Sequence, residues 1–279
     1  MRKLYTWKLP HATLELGSRT LIMGILNLTP DSFSDGGLWA DPQKAATRAL
    51  AIQSEGADIL DIGGQSTRPD SRPLSEDEEW IRILPALKRI APLMKIPISV
   101  DTYHASVAWK AIDSGAQIIN DISGFRLDPA MKAVARKTGA AAVLMHSRGN
   151  RDQLFVRPDP DSVEAIRDEL GATIHGVVDA GIAPEAIVAD PGIGFSKTNA
   201  TSLKILKRLD LFSTLGFPLL VGSSRKSFIK TDIPVTDGRV WATAATVAKS
   251  VALGAHIVRV HDVGRMRVVT EIADSIEQA

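Results

Sequence analysis

The sequence predicts an α/β fold, namely a single (β/α)₈ barrel with a short N-terminal β-hairpin. Eight short apolar runs recur along the 279 residues, and parallel strands buried on both faces have such continuous apolar sequences. Intervals of about 20 to 45 residues separate the runs, which is enough for a helix and its loops. Nearly every run ends at a polar residue, and active sites in such barrels lie at the carboxyl ends of the strands.

The strands are predicted in chain order from these runs. Residues 1–20 contain two strand-like segments around a turn, which predict a hairpin that closes the bottom of the barrel. The barrel strands are predicted where apolar runs contain or reach one of eight polar residues: Asn27, Asp61, Asp101, Asp121, His146, Asp190, Ser223 and His261. Barrels of about 250 residues fold as one unit, and no linker-like segment interrupts residues 1–279. We therefore expect one domain.

Helical patterns fill the intervals between the strands. Asp41 is the predicted N-cap of the first helix, with Pro42 at its first position and Gly56 at its end. Ser75 and Glu78 have the spacing of a capping box at the start of the next helix. A last helix is predicted at 263–278, where it would complete the ring of helices around the barrel.

The composition argues against several classes of protein. The 33 basic and 32 acidic residues leave a net charge of +1, so no nucleic-acid or membrane-surface partner is expected. The chain has no cysteine, which excludes disulfides and thiolate catalysis and fits a cytoplasmic location. The apolar run at 21–26 is too short to span a membrane.

The loops after the first two barrel strands contain residue types that are typical of binding sites. Residues 27–37 and 63–73 are rich in Gly, Pro, Ser and Asp and are longer than minimal βα connections. Thr67 and Arg68 offer a hydroxyl and a bidentate cation, a pair that suits a phosphate. A solvated loop with an incidental arginine is an equally good interpretation of this segment alone.

Cationic side chains gather at the predicted mouth of the barrel. Phosphate sites in barrels are often built from the loops after the seventh and eighth strands. Arg259 and His261 are two residues apart in the last strand and therefore project from the same side. A lone histidine at a strand end is more often structural than catalytic. Together with Arg68 and Lys226, however, these residues predict an anionic substrate.

Polar residues with side-chain oxygens end three other strands, at Asp101, Asn120 and Asp190. Carboxylates in this place hold metals, transfer protons or accept hydrogen bonds from N–H-rich heterocycles such as pterins and guanines. Three oxygen ligands also suit Mg²⁺. The spacing alone leaves ring recognition and metal binding open.

Eight sequence blocks occur in an order that resembles the bacterial dihydropteroate synthase family. They span residues 22–262 and read GILNLTPDSFSDGG, DIGGQSTRP, SVDTYH, NDISG, MHSRG, DPGIGF, SSRKSF and RVHDV. The fold of that family is a TIM barrel. The resemblance implies condensation of 6-hydroxymethyl-7,8-dihydropterin diphosphate with 4-aminobenzoate, which gives 7,8-dihydropteroate and pyrophosphate in folate biosynthesis.

The resemblance also implies the roles of particular residues. Catalysis is assigned to Arg68, Asp101, Asp190 and Lys226. The pterin ring is assigned to Asp101, Asn120, Ile122, Met145, Asp190, Gly222, Lys226 and Arg259. The diphosphate is assigned to Asn27, Thr67, Arg68, Arg259 and His261. The aminobenzoate is assigned to Phe33, Thr67, Pro69, Phe195, Lys226 and Ser227. Mg²⁺ is expected as cofactor on Asn27, with Asp35 as a further candidate ligand, and a homodimer through the C-terminal outer helices is expected.

Four positions differ from the pattern that the resemblance implies. Two lie in the second loop, Gln65 in place of the usual glutamate and Asp70 in place of glycine. The others are His104, where lysine is frequent, and Ser196, where glycine or alanine is typical. The pterin set is intact, so these differences bear on the aminobenzoate site.

Two other functions fit parts of the pattern. A pterin-binding barrel that moves a methyl group from methyltetrahydrofolate to a corrinoid would share the ring contacts but needs no diphosphate site. The SSRKS, RVHD and STRP segments argue against that alternative. A catalytically inactive barrel that serves as a ligand-binding or partner module would not need the ring set, the anion set and both loops together.

Overall fold

Eight parallel strands with helices between them form the barrel that the sequence predicts. The computed structural model describes residues 2–28, 41–65, 72–150, 153, 162–226, 228–229 and 236–279. A two-stranded antiparallel hairpin precedes the barrel and consists of β1 (Tyr5–Lys8) and β2 (Thr13–Leu16). The barrel strands are β3 (Leu21–Asn27), β4 (Ile59–Gly63), β5 (Ile98–Asp101), β6 (Ile118–Asp121), β7 (Ala141–Met145), β8 (Ile187–Asp190), β9 (Leu220–Val221) and β10 (Ile257–Val260).

The sheet follows the order β8-β7-β6-β5-β4-β3-β10-β9. A parallel bridge between Ala189 and Leu219 brings its two ends together, and the Ala189 amide donates to the Pro218 carbonyl at 2.9 Å. Strand β9 is shorter than the apolar run that predicts it. Pro218 has no backbone N–H, so it cannot donate a hydrogen bond to a neighbouring strand and the ladder does not continue through it.

The helices surround the barrel between these strands. They are α1 (Pro42–Ser54), α2 (Glu76–Ile90), α3 (Ala105–Asp113), α4 (Met131–Thr138), α5 (Val163–Val178), α6 (Asn199–Lys207), α7 (Gly238–Ala252) and α8 (Val263–Gln278). The predicted caps are confirmed, because Asp41 accepts from the Gln43 amide and Ser75 forms a capping box with Glu78. No helix in the described part of the chain is long and apolar enough to cross a membrane.

The hairpin closes the bottom of the barrel, as predicted. Trp7 is fully buried, and its indole N–H donates to the Ala186 carbonyl at 3.0 Å. It packs with the first inward-facing residues of the barrel strands, among them Met23 and Val143. Because this end of the barrel is filled with apolar side chains, the carboxyl ends of the strands form the only polar end of its interior among the described residues.

Candidate active site

The ends of neighbouring strands bring the predicted ring-binding residues into one layer of the barrel. Gly63 on β4 is in register with Asp101 on β5, and Asp101 is in register with Asn120 on β6. On the other side of the first pair, Asn27 of β3 is in register with Gly63. Gly63 leaves this layer open, since a Cβ at that position would lie 3.5 Å from the Asp101 Cβ.

The side chain of Arg259 connects this layer to Asp61. Its Nη2 donates to Asp101 Oδ2 at 2.6 Å, and its Nε donates to Asp61 Oδ2 at 2.6 Å. Burial raises the pKa of the Asp101 carboxyl, and the Arg259 guanidinium opposes that rise. The pairing therefore favours the charged form of the Asp101 carboxylate against the effect of burial.

Asp61 lies deeper in the barrel than this layer, since it is in register with Ser99, two residues before Asp101. No role is predicted for it from the sequence. The side chain is fully buried, and its Oδ2 also accepts from Asn120 Nδ2 at 3.1 Å. Within the described residues, Asp61 Oδ1 has no hydrogen-bond partner. Its role could have been inferred from the aspartate in the middle of an otherwise apolar strand. A buried charge without a partner is costly, so such a residue indicates a partner inside the barrel.

Asp190 and Lys226 face one another across the next part of the mouth. Asp190 Oδ1 accepts from the Gly192 amide at 2.7 Å, so the carboxylate also caps its own turn. Burial raises the pKa of Asp190, and the ammonium of Lys226 opposes that rise. Burial lowers the pKa of Lys226 to about 8, and Asp190 opposes this shift. Lys226 donates to the Ile193 carbonyl, and its Nζ lies 4.4 Å from the centre of the Phe195 ring.

A small apolar cluster completes the walls of the mouth. It consists of Tyr103, Ile122, Met145 and Phe195, all buried. Ile122, Met145 and Phe195 are predicted site residues, whereas Tyr103 is not. Gly222 lies against Arg259, since a Cβ at this glycine would be 3.8 Å from the Arg259 Cβ. Apolar side chains beside buried carboxylates and amides suit a flat, polar-edged ring.

The side of the mouth assigned to the diphosphate is built from the loops after β9 and β10. His261 Nδ1 lies 2.9 Å from Ser224 Oγ, which also accepts from the His261 amide. Arg225 is paired with Asp262 through two hydrogen bonds of 3.0 and 2.7 Å. This ion pair joins the residue before Lys226 to the residue after His261, so it ties the two loops together.

Several predicted site residues lie outside the described residues: Phe33, Asp35, Thr67, Arg68, Pro69, Asp70 and Ser227. The described residues contain no group of three or more His, Asp or Glu side chains that could hold a metal ion. Asn27 is half-buried at the end of β3, and its Oδ1 would lie 3.8 Å from a Cβ at Gly63. One amide oxygen fits a magnesium ion whose other ligands are phosphate oxygens and water, which is the usual coordination of this ion beside a bound phosphate.

The comparisons with known proteins identify relatives of this barrel. The family model described as "Pterin binding enzyme" matches residues 23–261. The dihydropteroate synthase of Bacillus subtilis (strain 168) is 43% identical over 267 residues, which are 95% of this chain and 91% of that protein. The chain belongs to the dihydropteroate synthase family of pterin-binding enzymes. The predicted family and enzyme class, a transferase, are confirmed.

Solved structures of this family have the same fold. The Xanthomonas albilineans dihydropteroate synthase with 4-aminobenzoic acid has a TM-score of 0.90 and 33% identity, and the match covers 99% of this chain and 100% of that chain. The Burkholderia cenocepacia dihydropteroate synthase complexed with 7,8-dihydropteroate has a TM-score of 0.85 and 34% identity, with coverage of 99% and 98%. The TIM-barrel prediction is thereby confirmed.

Three of the four departures from the dihydropteroate synthase pattern are accommodated by hydrogen bonds. The Gln65 amide lies 2.7 Å from the Tyr103 hydroxyl through Nε2 and 3.0 Å through Oε1. The ring of His104 is buried, with Nε2 3.3 Å from the Leu74 carbonyl. The Ser196 hydroxyl joins the backbone N–H and C=O of Arg148, each at 3.1 Å.

Proposed function

We propose that this chain condenses 6-hydroxymethyl-7,8-dihydropterin diphosphate with 4-aminobenzoate to give 7,8-dihydropteroate and pyrophosphate. The observation that carries the proposal is the group of polar side chains at the barrel mouth, the buried Asn120 and Asp190 and the nearly buried Asp101, beside the cation Lys226. A pterin presents paired N–H donors that a buried carboxylate accepts bidentately. Family membership supports the reaction, and the chemistry of these residues supports their assignment to the pterin.

Arg259 and Asp61 support the ring-binding groups from below. Arg259 is hydrogen-bonded to both Asp61 and Asp101 at 2.6 Å, so the Asp101 carboxylate is held before substrate arrives. The Asn120 amide is oriented by its 3.1 Å bond to Asp61. A preorganised acceptor needs no rearrangement when the substrate binds, which favours both affinity and rate.

The chemical step exchanges a C–O bond for a C–N bond at the exocyclic methylene of the pterin. When pyrophosphate leaves, the dihydropterin ring delocalises the positive charge that remains on that carbon. Asp190 and Asp101 would stabilise this charge electrostatically, because the Gly192 amide and Arg259 already hold their carboxylates in place. The weakly basic arylamine then attacks and loses a proton, a step that needs orientation more than activation.

The leaving diphosphate is assigned to cationic and polar side chains: Asn27, Thr67, Arg68, Arg259 and His261. Arg259 is shared between the ring and the anion, whereas Lys226 is shared between the ring and the aminobenzoate. Asn27 is the proposed ligand of Mg²⁺. When bound, this ion supplies positive charge that compensates the charge developing on the pyrophosphate.

The aminobenzoate is proposed to lie over Phe195 and Lys226, with Phe33, Thr67, Pro69 and Ser227 contributed by the loops. The Phe195 ring and the Lys226 ammonium are already stacked at 4.4 Å. An ammonium over an aromatic face is stabilised by the ring quadrupole. The same ammonium can then pair with the carboxylate of an arylamine acid.

One assay tests this function against the two alternatives. Purified protein is incubated with the pterin diphosphate, aminobenzoate and Mg²⁺, and both dihydropteroate and pyrophosphate are measured. Equimolar formation of both products is expected. Methyl transfer from methyltetrahydrofolate without pyrophosphate release would support the corrinoid alternative, and pterin binding without turnover would support an inactive binding module.

We also propose a homodimer formed through α8, in a cytoplasmic location that fits the absence of cysteine. Val268, Ile272 and Ile276 are spaced by four on this helix and are 62%, 58% and 68% exposed. Trp241 on the adjacent helix α7 is 66% exposed. A contiguous apolar surface of this kind is typical of a protein interface. Sedimentation should give a dimer for the native chain and a monomer for Ile272→Asp, whereas an unchanged mass would refute the interface.

A further inference from the structure

Lys197 is a buried cation immediately behind the ring-binding layer. Its side chain is 2% exposed, although it carries an ammonium. Nζ lies 2.8 Å from His146 Nδ1 and donates to three carbonyls, those of His146 at 3.1 Å and of Gly192 and Phe195 at 3.0 Å. An ammonium has three N–H donors, so these four acceptors occupy all of them and two acceptors share one proton.

The contact with His146 determines the tautomer of that ring. Nδ1 accepts from Lys197, so the ring proton is on Nε2, which lies 3.0 Å from Glu169 Oε2. Burial and the neighbouring Lys197 lower the pKa of His146 to about 3, which keeps the ring neutral. Glu169 in turn is paired with the guanidinium of Arg148. The amine is therefore the inner end of a hydrogen-bonded chain that reaches the surface.

The carbonyls that Lys197 holds belong to the backbone that presents the site. The Gly192 amide donates to Asp190 Oδ1 at 2.7 Å, and the Phe195 amide donates to the Gly192 carbonyl at 3.1 Å. The Phe195 ring supports Lys226. The position of Lys197 thus couples the end of β7, the turn after β8 and the two side chains, Asp190 and Phe195, that meet the two substrates.

The charges around this amine connect it to Asp190. Lys197 is faced by Asp190 from β8, by Lys226 from the loop after β9, by Arg148 after β7 and by Glu169 of α5. Asp190 is faced by three cations, Lys226, Lys197 and Arg259. Burial lowers the pKa of Lys197 to about 7, and Asp190 opposes that shift. Each group therefore favours the charged form of the other.

We propose that Lys197 is a positioning residue for the condensation reaction. Its amine fixes the turn that carries Asp190 and Phe195, and its charge helps to keep Asp190 ionised for the pterin. The inference rests on the proposed function, because it assigns Asp190 to the pterin and Phe195 to the aminobenzoate. A neutral side chain of the same volume would fill the space without the cost of burying a charge, so packing alone does not account for a lysine here.

The test replaces Lys197 by methionine, which keeps the length and removes the charge and the donors. The control is Lys204→Met, an exposed lysine of the adjacent helix α6. Calorimetry measures the affinity for a pterin that lacks the diphosphate between pH 5 and 8, and steady-state kinetics give KM for both substrates. In Lys197→Met we expect pterin affinity and turnover to fall about ten- to a hundredfold, the range for a displaced site group. Aminobenzoate KM should rise.

The acidic limb of pterin binding should also move to higher pH. The sign follows from Asp190, whose pKa rises when a neighbouring cation is lost. Lys204→Met should match the native chain in every measurement. A folded Lys197→Met chain with native affinity, native KM values and an unshifted acidic limb would overturn the proposal. If the native chain binds pterin but forms no dihydropteroate, the proposed function fails while the binding comparison still tests Lys197.

A second experiment tests the proposal if Lys197→Met does not fold. Because the chain has no cysteine, Lys197→Cys can be alkylated in urea at that site alone and then refolded. Alkylation with 2-bromoethylamine restores an ammonium at the length of lysine, whereas 1-bromopropane gives a neutral side chain of the same length. Recovery of native pterin affinity with the amine only is expected. Equal affinity of the two products, or refolding of the amine product alone, would overturn the positioning role.

Discussion

Replacing Gly192 by alanine should disrupt the close approach between two strand ends of the barrel. Gly192 has a φ of +68°, in the left-handed region that costs an L-residue about 1 kcal/mol. A Cβ at this position would lie 1.9 Å from the His146 carbonyl oxygen. The closest usual C···O contacts are about 3.3 Å, so the oxygen must retreat by roughly 1.4 Å. Because this oxygen belongs to the backbone, side-chain rotation cannot relieve the collision and the main chain itself must move.

The retreat affects bonds that the site needs. The His146 carbonyl accepts from Lys197, and the His146 amide donates to the Asp190 carbonyl at 2.9 Å. Losing one such bond costs about 1 kcal/mol, and a buried group left unsatisfied costs about 1–3 kcal/mol. Together with the backbone term, we expect Gly192→Ala to lower the free energy of unfolding by about 3–5 kcal/mol. This is a large part of a typical total of about 5–15 kcal/mol.

Gly139→Ala is the matched control for this substitution. Gly139 follows α4 with a φ of +67°, and no atom lies within 4 Å of its would-be Cβ. An alanine at this position adopts the same unfavourable left-handed backbone conformation but collides with nothing. We therefore expect Gly139→Ala to lower the free energy of unfolding by about 1 kcal/mol. Urea unfolding followed by tryptophan fluorescence measures both variants. Equal destabilisation of the two would refute the close approach, as would full turnover by Gly192→Ala, because the Gly192 amide also holds Asp190.

Three further predictions concern the site and the helices. Asp190→Asn keeps the acceptor for the Gly192 amide but removes the charge, so turnover should fall about a hundredfold or more while the melting temperature stays unchanged. Normal pyrophosphate release by this variant would mean that Asp190 serves only as a turn cap. Lys226 loses its proton as pH rises through about 8, so calorimetric affinity for the pterin diphosphate should decline above that pH, and a flat profile to pH 9.5 would contradict its role. Ser75→Ala removes the capping bond to the Glu78 amide and should lower the free energy of unfolding in urea by about 1 kcal/mol. Ser75→Asp should be close to the native stability, and native stability of Ser75→Ala would show that α2 needs no cap.

The sequence by itself determined the elements of the barrel. Apolar runs and capping residues act through the chain's own neighbours, so strands such as β6 (Ile118–Asp121) and the capped start of α2 at Ser75 are predictable from local pattern. The carboxyl ends of parallel strands must meet at one end of a barrel, so Asp101, Asn120 and Asp190 could be placed at the mouth before any coordinates. The resemblance to a known family supplied the substrate.

Only the tertiary structure decided which of these residues touch. Arg259 pairs with Asp61, which is 198 residues away in the chain, and Lys197 meets His146 across 51 residues. Contacts of that kind depend on the register of every strand between the partners. A local sequence pattern does not determine those registers. A buried charge is tolerated only where the closed barrel supplies its partners. Asp61 and Lys197 therefore became interpretable as supports of the site once the barrel had brought those partners within hydrogen-bonding distance.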